Sequence, residues 1–563
     1  MWVPPSEAPG LAEEVFLNEF KDITEFDTLK PVQQPGGPSH CVCLQSNPLS
    51  TTIAPSTLAE LPLVSMPSKH PASVAKKDHH RAAISGASQG LRETLPTLKT
   101  TVSGQEPMKN SETLPALPTH GQPLMFADLF AGCGGLSLGL SLAGLNGVFA
   151  VERDKMAFST LSANLLEGRN VPVPQFEWPD WLEKKAWGID EILKQHPIKL
   201  SELKGKVHVL AGGPPCQGFS FAGKRLESDP RNQLFEKYVE MVKAIQPAAI
   251  VLENVPGMKV AHKAKSWKDE LGLTKVKPDS YYDKLVESLN RVGYQVLGKI
   301  VDCSLFGVPQ RRPRLIVIGI HKDLARHLRG GANRAFELLE EARIKQLQEL
   351  GLPEIVSTSD AISDLEIKHV GTSPCTDPSS RTGFLELGYK GPRTHYQTLM
   401  HQGSDDSMDS VRLAKHKPEI SERFMRIIQD PESVRGGKMS LAQRTKYGLK
   451  KHRICLMHEE TPAPTITTLP DDVLHYSEPR ILTVRESARL QSFPDWFKFR
   501  GKFTTGGSQR TKECPRYTQV GNAVPPYLAR AIGLAIELVL KEATAIASQE
   551  TINEPEQEIL AIA

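Results

Sequence analysis

The sequence predicts an α/β fold: a sheet of buried strands covered by helices, followed by a smaller irregular domain and preceded by a disordered N-terminal extension. Three observations carry this. Between residues 124 and 320, short apolar runs alternate with helical patterns. A glycine-rich turn, Asp128-Leu-Phe-Ala-Gly-Cys-Gly-Gly135, separates the first run from the first helix. From about 322 to 480 the rhythm gives way to polar, loop-rich sequence. Alternating helices and near-continuous apolar strands argue for a parallel sheet buried on both faces.

The elements follow in order. LMFADLF is the first strand, and GGLSLGLSLAG is a helix that Gly144 can stop. GVFAVE, KVHVLAGG, AAIVLEN, YQVLGKIVD and RLIVIGI are further strands, with helices QLFEKYVEMVKAI and YYDKLVESLNRVG between them. The irregular region holds charged helical pieces such as NRAFELLEEARIKQLQELG, and YLARAIGLAIELVLKEA restores order as a helix passing from amphipathic to buried. The residues before 121 are rich in Pro, Ser, Thr and Ala without sustained periodicity and read as disordered, apart from a candidate short helix at 11–20. The expected divisions are an extension at 1–121, a ligand-binding domain at 122–325, the irregular domain at 326–512, a segment at 513–545 completing the first domain, and a tail at 546–563.

The chain has 563 residues, room for roughly two to four domains. Its formal net charge is only +3, so no global basic field announces a nucleic-acid partner, although a local basic face is compatible with that balance. Eight cysteines stand singly: Cys41, Cys43, Cys133, Cys216, Cys303, Cys375, Cys455 and Cys514. They form no repeated CxxC pairs, and Cys41 and Cys43 lie in low-complexity sequence, so no metal site is expected and a reducing, intracellular setting fits. The opening stretch MWVPPSEAPGLAEEVF does not read as a secretory signal, and no unbroken apolar run is long enough for a membrane span.

Four motifs carry chemistry. The glycine-rich turn lets the backbone approach a ligand closely, and Glu152, seventeen residues after Gly135, stands where an acid accepts hydrogen bonds from both ribose hydroxyls of a nucleoside. Taken alone, the turn is also what a tight α/β core connection looks like. Gly212-Gly-Pro-Pro-Cys-Gln-Gly-Phe-Ser220 puts Cys216 at the carboxyl end of a strand, behind two prolines that stiffen the backbone. These neighbours make a poor core environment, which favours a reactive thiol over a buried one. The stretch after it, GFSFAGKRLESDPRN, suits a loop that closes over a polyanion. Glu253 ends AAIVLEN and would open onto the same edge, where a carboxyl group can hold and protonate a heterocycle nitrogen while sulfur adds to the adjacent carbon; the alternative is a strand-end carboxylate capping a helix. Arg311, Arg312 and Arg314 in VPQRRPR can bind phosphate or a base carbonyl, or form a solvated basic turn.

DLFAGCGGLSLGL, VERD, GGPPCQGFS, ENVPG, VPQRRPR, VRESARLQSFP and QVGNAVPPYLA occur in this order between about 124 and 540. Together they resemble the ordered motif set of DNA (cytosine-5) methyltransferases, especially those of bacterial restriction–modification systems. Any one piece is weakly specific; PPCQ with ENV and QRRPR downstream is strongly so. The resemblance implies a Rossmann-like S-adenosylmethionine-dependent methyltransferase sheet with a target-recognition domain at 326–512. It implies that Phe130 stacks on the cofactor adenine and that Gly132, Gly134 and Gly135 shape the methionine side of the pocket. Glu152 then binds the ribose, while Asn522 and Ala523 close the pocket. Cys216 attacks C6 of a flipped cytosine, Glu253 contacts N3 and the exocyclic amine, and Arg312 and Arg314 hold the base, with Arg314 near O2. The family's acid for the adenine amino group is Asp180 or Asp190, which the sequence leaves open.

The implied partners are double-stranded DNA and a restriction endonuclease acting as a functional rather than physical partner. A monomer in the bacterial cytoplasm at the nucleoid, with no membrane association, is expected. Recognition-domain candidates for base or phosphate contacts are Arg393, His395, Lys438, Arg444, Lys446, Lys450, Lys451 and Arg453, whereas Arg485 and Arg489 are expected to brace the two domains. Two other readings stand beside this one. A tRNA cytosine-5 methyltransferase usually carries PPCQPFT where this chain has PPCQGFS, and a catalytically inactive DNA-binding scaffold would lack the thiol or the carboxylate.

Overall fold

The structure is a computed structural model. It describes residues 117–118, 121–167, 171–215, 234–259, 265–268, 274–277, 280–405, 407–451, 453–506, 509 and 512–562. The N-terminal extension with its expected helix at 11–20, Cys41, Cys43, Cys216 and most of the expected closing loop at 217–235 lie outside these residues.

Six strands form the central sheet: β1 (Met125–Leu129), β2 (Asn146–Val151), β3 (Val209–Gly212), β4 (Ala249–Asn254), β5 (Tyr294–Asp302) and β6 (Pro313–His321). Their order is β2-β1-β3-β4-β6-β5. The first four are parallel, but β6 runs antiparallel to both β4 and β5, so the sheet is mixed and not wholly parallel as expected. The physical reason is the connection. Only residues 303–312 join β5 to β6, with a short 3-10 turn at Cys303–Phe306, and a return to a parallel neighbour needs a longer crossover.

Alternation along the strands divides the core into two layers. Phe126 of β1 and Ala249 and Val251 of β4 pack on one face, while Ala127, Leu129, Ile250 and Leu252 pack on the other. Helix α1 (Gly135–Leu142) follows Gly134, whose φ of +95° only glycine adopts at little cost, and ends before Gly144. After β2 comes α2 (Lys155–Leu161), capped by the Asp154 carboxylate at the Met156 and Ala157 N–H groups. Helices α3 (Leu234–Ile245) and α4 (Tyr281–Arg291) cover the second face with buried Tyr238, Val242, Leu285 and Leu289.

The first face is covered by α5 (Asn333–Leu350) and by the long C-terminal helix α8 (Pro526–Ile562), which runs on through the stretch read as a tail. Leu528, Ile532, Ile536, Val539 and Leu540 of α8 are almost completely buried against the sheet, α1 and α5. The 516–550 stretch passes a length-and-composition test for a membrane span, but most of it is buried inside the fold, as expected of a core helix.

The irregular region contributes two small apolar clusters of its own, one around Phe424, Ile427, Leu456 and Leu474 and one around Leu365, Leu387 and Val411. Its end joins the main core through α6 (Val484–Leu490) and the aromatic group Phe493, Phe497 and Phe499. Helix α7 (Arg516–Asn522) then leads into α8. Arg485 and Arg489, expected to brace the two domains against each other, instead bond partners within the 326–512 region. Arg485 is paired with Asp409 and donates to the Phe497 carbonyl at 2.8 Å. Arg489 bonds Asp364 at 2.6 Å and Asp495 at 2.7 Å, all three fully buried.

Candidate active site

The strand order fixes where a ligand binds. From β1 the chain passes to β2 on one side and later returns to β3 on the other, which makes the gap between the carboxyl ends of β1 and β3 a topological switch point. The glycine turn after β1 and the Gly213-Pro214-Pro215 segment after β3 both open there. The Gly213 N–H donates to the Leu129 carbonyl at 3.2 Å, tying the second to the first.

Phe130 has a φ of +59°, in the left-handed region that a bulky side chain rarely enters, at a cost of about 1–3 kcal/mol. The turn around it is held by Ala131 N–H to the Val151 carbonyl at 3.1 Å and Gly134 N–H to the Ala131 carbonyl at 2.9 Å. Its ring is half-buried at the border of the second core layer. Glu152 accepts the Gly132 N–H at 3.0 Å and the Asp154 N–H at 2.7 Å, one on each carboxylate oxygen. Each oxygen keeps a second lone pair, enough for two ribose hydroxyls. Burial raises the Glu152 carboxyl above the ordinary range, against these two N–H groups that lower it.

Beneath the turn, Asp128 is completely buried and accepts the Ser137 hydroxyl at 2.6 Å. Burial pushes its carboxyl up to about 7, and among the described residues its second oxygen has no hydrogen-bond partner.

The two candidate acids lie on a segment that tracks β2. Glu177 N–H bonds the Gly147 carbonyl at the start of β2, and Trp187 N–H bonds the Glu152 carbonyl just past its end, both at 2.8 Å. The chain therefore runs alongside β2 toward its carboxyl end. Asp190, in the first turn of the helix Ile189–Gln195, follows the hydrogen bond at that end; Asp180 comes earlier, between the two hydrogen bonds.

The far end of the chain closes the turn. Gln519 accepts the Thr160 hydroxyl at 2.7 Å and donates to the Arg500 and Cys514 carbonyls at 3.0 and 2.9 Å. A Cβ on Gly135 would lie 2.4 Å from the Val524 carbonyl oxygen and 3.4 Å from the Ala523 Cβ, so this close approach requires glycine. Ala523 is buried there and Asn522 beside it is exposed.

The antiparallel pairing of β4 and β6 builds the second half of the site. It sets the carboxyl end of β4 against the amino end of β6, with Asn254 opposite Leu315. Glu253, the one β4 residue that is not fully buried, then meets Arg314 at 2.7 Å, both side chains 11% exposed. Asn254 donates to the Pro214 carbonyl at 3.1 Å, which anchors the segment leading to Cys216. The structure thus brings together Glu253, Arg314 and the base of the cysteine loop.

Arg312 lies elsewhere. It is 1% exposed, and its guanidinium donates to the carbonyls of Ile466, Gly521 and Ala523 at 2.9–3.0 Å. It stitches the start of β6 to the segment that closes the glycine turn. Gln310 does the same, bonding the Leu490 carbonyl, Gln491 and the Ile466 N–H. Asn254 and Gln310 were in view within ENV and VPQRR, but a sequence does not distinguish an amide that grips backbone from one that faces a ligand.

The five described cysteines, Cys133, Cys303, Cys375, Cys455 and Cys514, all have thiols raised by burial, Cys133 and Cys303 to about 12. A nucleophilic cysteine needs the opposite shift. Among the recognition-domain candidates, Lys446 is paired with Asp430 and Glu432, Lys451 with Asp471 and Asp472, and His395 with the Leu350 carbonyl. Arg393, Lys438, Lys450 and Arg453 are exposed, and Arg444 is half-buried.

Sequence comparison shows the family. The model of the family described as C-5 cytosine-specific DNA methylase matches residues 124–538. Type II methyltransferase M.DdeI of Desulfomicrobium norvegicum is 32% identical over 413 residues, covering 72% of this chain and 86% of that protein. Type II methyltransferase M1.HphI of Haemophilus parahaemolyticus is 31% identical over 423 residues, covering 73% and 86%. The match takes in both halves of the site, from the glycine turn to the closing segment, and the chain belongs to the C-5 cytosine-specific DNA methylase family as a DNA (cytosine-5) methyltransferase.

Proposed function

We propose that the enzyme transfers a methyl group from S-adenosylmethionine to C5 of a cytosine flipped out of a specific duplex sequence, through a covalent bond between Cys216 and C6. The observation that carries this reading is the Glu253–Arg314 pair beside the anchored base of the Cys216 loop.

The residues at the switch point fit the cofactor. Gly132 has open space on its Cβ side, Glu152 offers lone pairs for the ribose, and Phe130 supplies an aromatic face for adenine. Asp190 takes the adenine amino group, in preference to Asp180. When bound, S-adenosylmethionine supplies an electrophilic methyl group. Gly134 and Gly135 shape the methionine side by letting the turn pack closely on Leu165 and Val524, and Asn522 and Ala523 close the pocket.

C5 of cytosine is a poor nucleophile, and C6 is out of reach in a stacked duplex, so the nucleotide is extruded at a cost of a few kcal/mol. Glu253 holds N3 and the exocyclic amine, and Arg314 meets O2. The Cys216 thiolate adds at C6, turning the ring into an enamine with a nucleophilic C5. Loss of the C5 proton and expulsion of sulfur restore the aromatic ring. Arg312 positions this edge without touching the base. The small clusters between 365 and 481 form the part that recognises the target sequence, and the names of the relatives support a role in bacterial restriction–modification.

Tritiated S-adenosylmethionine with plasmid DNA, and separately with tRNA, tests the reading. Label is expected in DNA as 5-methylcytosine, lost with Cys216→Ser and reduced by about 10²–10⁴ with Glu253→Gln. Transfer to tRNA alone, or undiminished transfer by Cys216→Ser, would overturn it.

A further inference from the structure

Of the three arginines in Arg311-Arg312-Pro313-Arg314, two have partners: Arg312 holds backbone carbonyls and Arg314 holds Glu253. Arg311 is different. Its backbone is fixed on both sides, by its N–H to the Ala463 carbonyl at 2.8 Å and by the Thr465 hydroxyl donating to its carbonyl at 2.7 Å. Its neighbours Gln310 and Arg312 are 0% and 1% exposed, so they face inward while Arg311 faces solvent. That side chain is exposed, and among the described residues no carboxylate pairs with it. An exposed arginine on a flexible turn is ordinary; one on a backbone fixed by the inward-facing residues beside it presents its charge at a defined place. Arg311 is three residues from Arg314, so its backbone lies at most about 10 Å from that of the residue that pairs with Glu253.

We propose that Arg311 binds a phosphate of the DNA backbone beside the extruded nucleotide. It supplies affinity and register without reading sequence, as phosphate contacts do. The inference deepens the reading above and rests on DNA being the substrate.

The test measures binding of the full chain to a short random-sequence duplex, and to a duplex carrying the site mapped by bisulfite sequencing of a methylated plasmid, between about 50 and 200 mM salt. Arg311→Gln is expected to weaken binding to both duplexes alike and to make the slope of log K against log salt shallower by about 0.9, the share of one phosphate contact. Arg311→Lys keeps the slope. Replacing the phosphates flanking the target cytosine with neutral methylphosphonates should abolish the difference between wild type and Arg311→Gln. An unchanged slope overturns the proposal, as does weaker binding confined to the mapped site, which would make Arg311 a base reader. Reduced S-adenosylmethionine affinity in calorimetry also overturns it, because the arginine would then act through the fold. A wild type that binds duplex with its full salt slope but transfers no methyl group would sink the Cys216 reading and leave this one standing.

Discussion

Arg489 shows what a single buried residue does in this protein. Its guanidinium meets Asp364 and Asp495 with all three side chains out of water. Removing one partner of such a group leaves uncompensated buried charge, typically 3–5 kcal/mol. Arg489→Met is therefore expected to lose about that much stability in urea unfolding. Acid reveals the same groups. Burial alone would raise Glu486 and Asp495, but Arg480 and Arg489 hold both carboxyls down to about 2. Carboxyls depressed in the folded state contribute stability that is present above their unfolded pKa and lost as pH falls toward 2. Unfolding midpoints should accordingly decline from about pH 5 downward.

Asp128 carries the opposite sign. Burial raises its carboxyl to about 7, so the folded state holds a proton that the unfolded chain releases near 4. Its contribution is fully present below the unfolded value and is lost as pH rises through 7. Asp128→Asn should flatten the stability profile between about pH 4 and 7. A variant whose profile over that range stays parallel to wild type would show that Asp128 is ionised in the fold.

At the scale of elements, the contact between α1 and α8 sets the tolerance for change. A Cβ on Gly139 would fall 2.3 Å from the Ala529 Cβ and 2.4 Å from the Pro526 carbonyl oxygen. Gly139→Val forces the helices apart and is expected to cost about 1–3 kcal/mol by chemical denaturation. Because α8 follows directly on Ala523 and Val524, which press on Gly135, the same variant should also weaken S-adenosylmethionine binding in calorimetry. The β4–β6 pair is the other decisive element contact. Its antiparallel register, and not the sequence distance between them, sets Glu253 beside Arg314.

Across the whole molecule, the catalytic half is assembled from both ends of the described chain. Helix α8 covers the first face of a sheet whose first strand lies about 400 residues earlier in sequence. Ile532→Ala, at a fully buried position, is expected to destabilise the entire fold by about 2–5 kcal/mol, with loss of sheet and cofactor site in one transition. Separate melting of the two would show that the C-terminal segment is an independent unit.

Much of this architecture is legible in the order of residue types. Apolar runs of strand length, separated by helical periods, marked all six strands and most covering helices, because burial on two faces leaves a plain compositional trace. Glycine, proline, cysteine and acid at fixed places between them marked the chemistry, since few other residues tolerate those turns. Matters of partnership came from packing alone. The direction of β6 depends on how short its connection from β5 is relative to a crossover. Arg312 and Arg314, two residues apart, part company because one points into a cluster of backbone carbonyls and the other at Glu253. Asp180 and Asp190 part because the chain between them runs along β2, bonded to Gly147 at its start and to Glu152 past its end. Residue type records what a side chain can bond; which partner it meets depends on segments distant in sequence, and only packing brings those together.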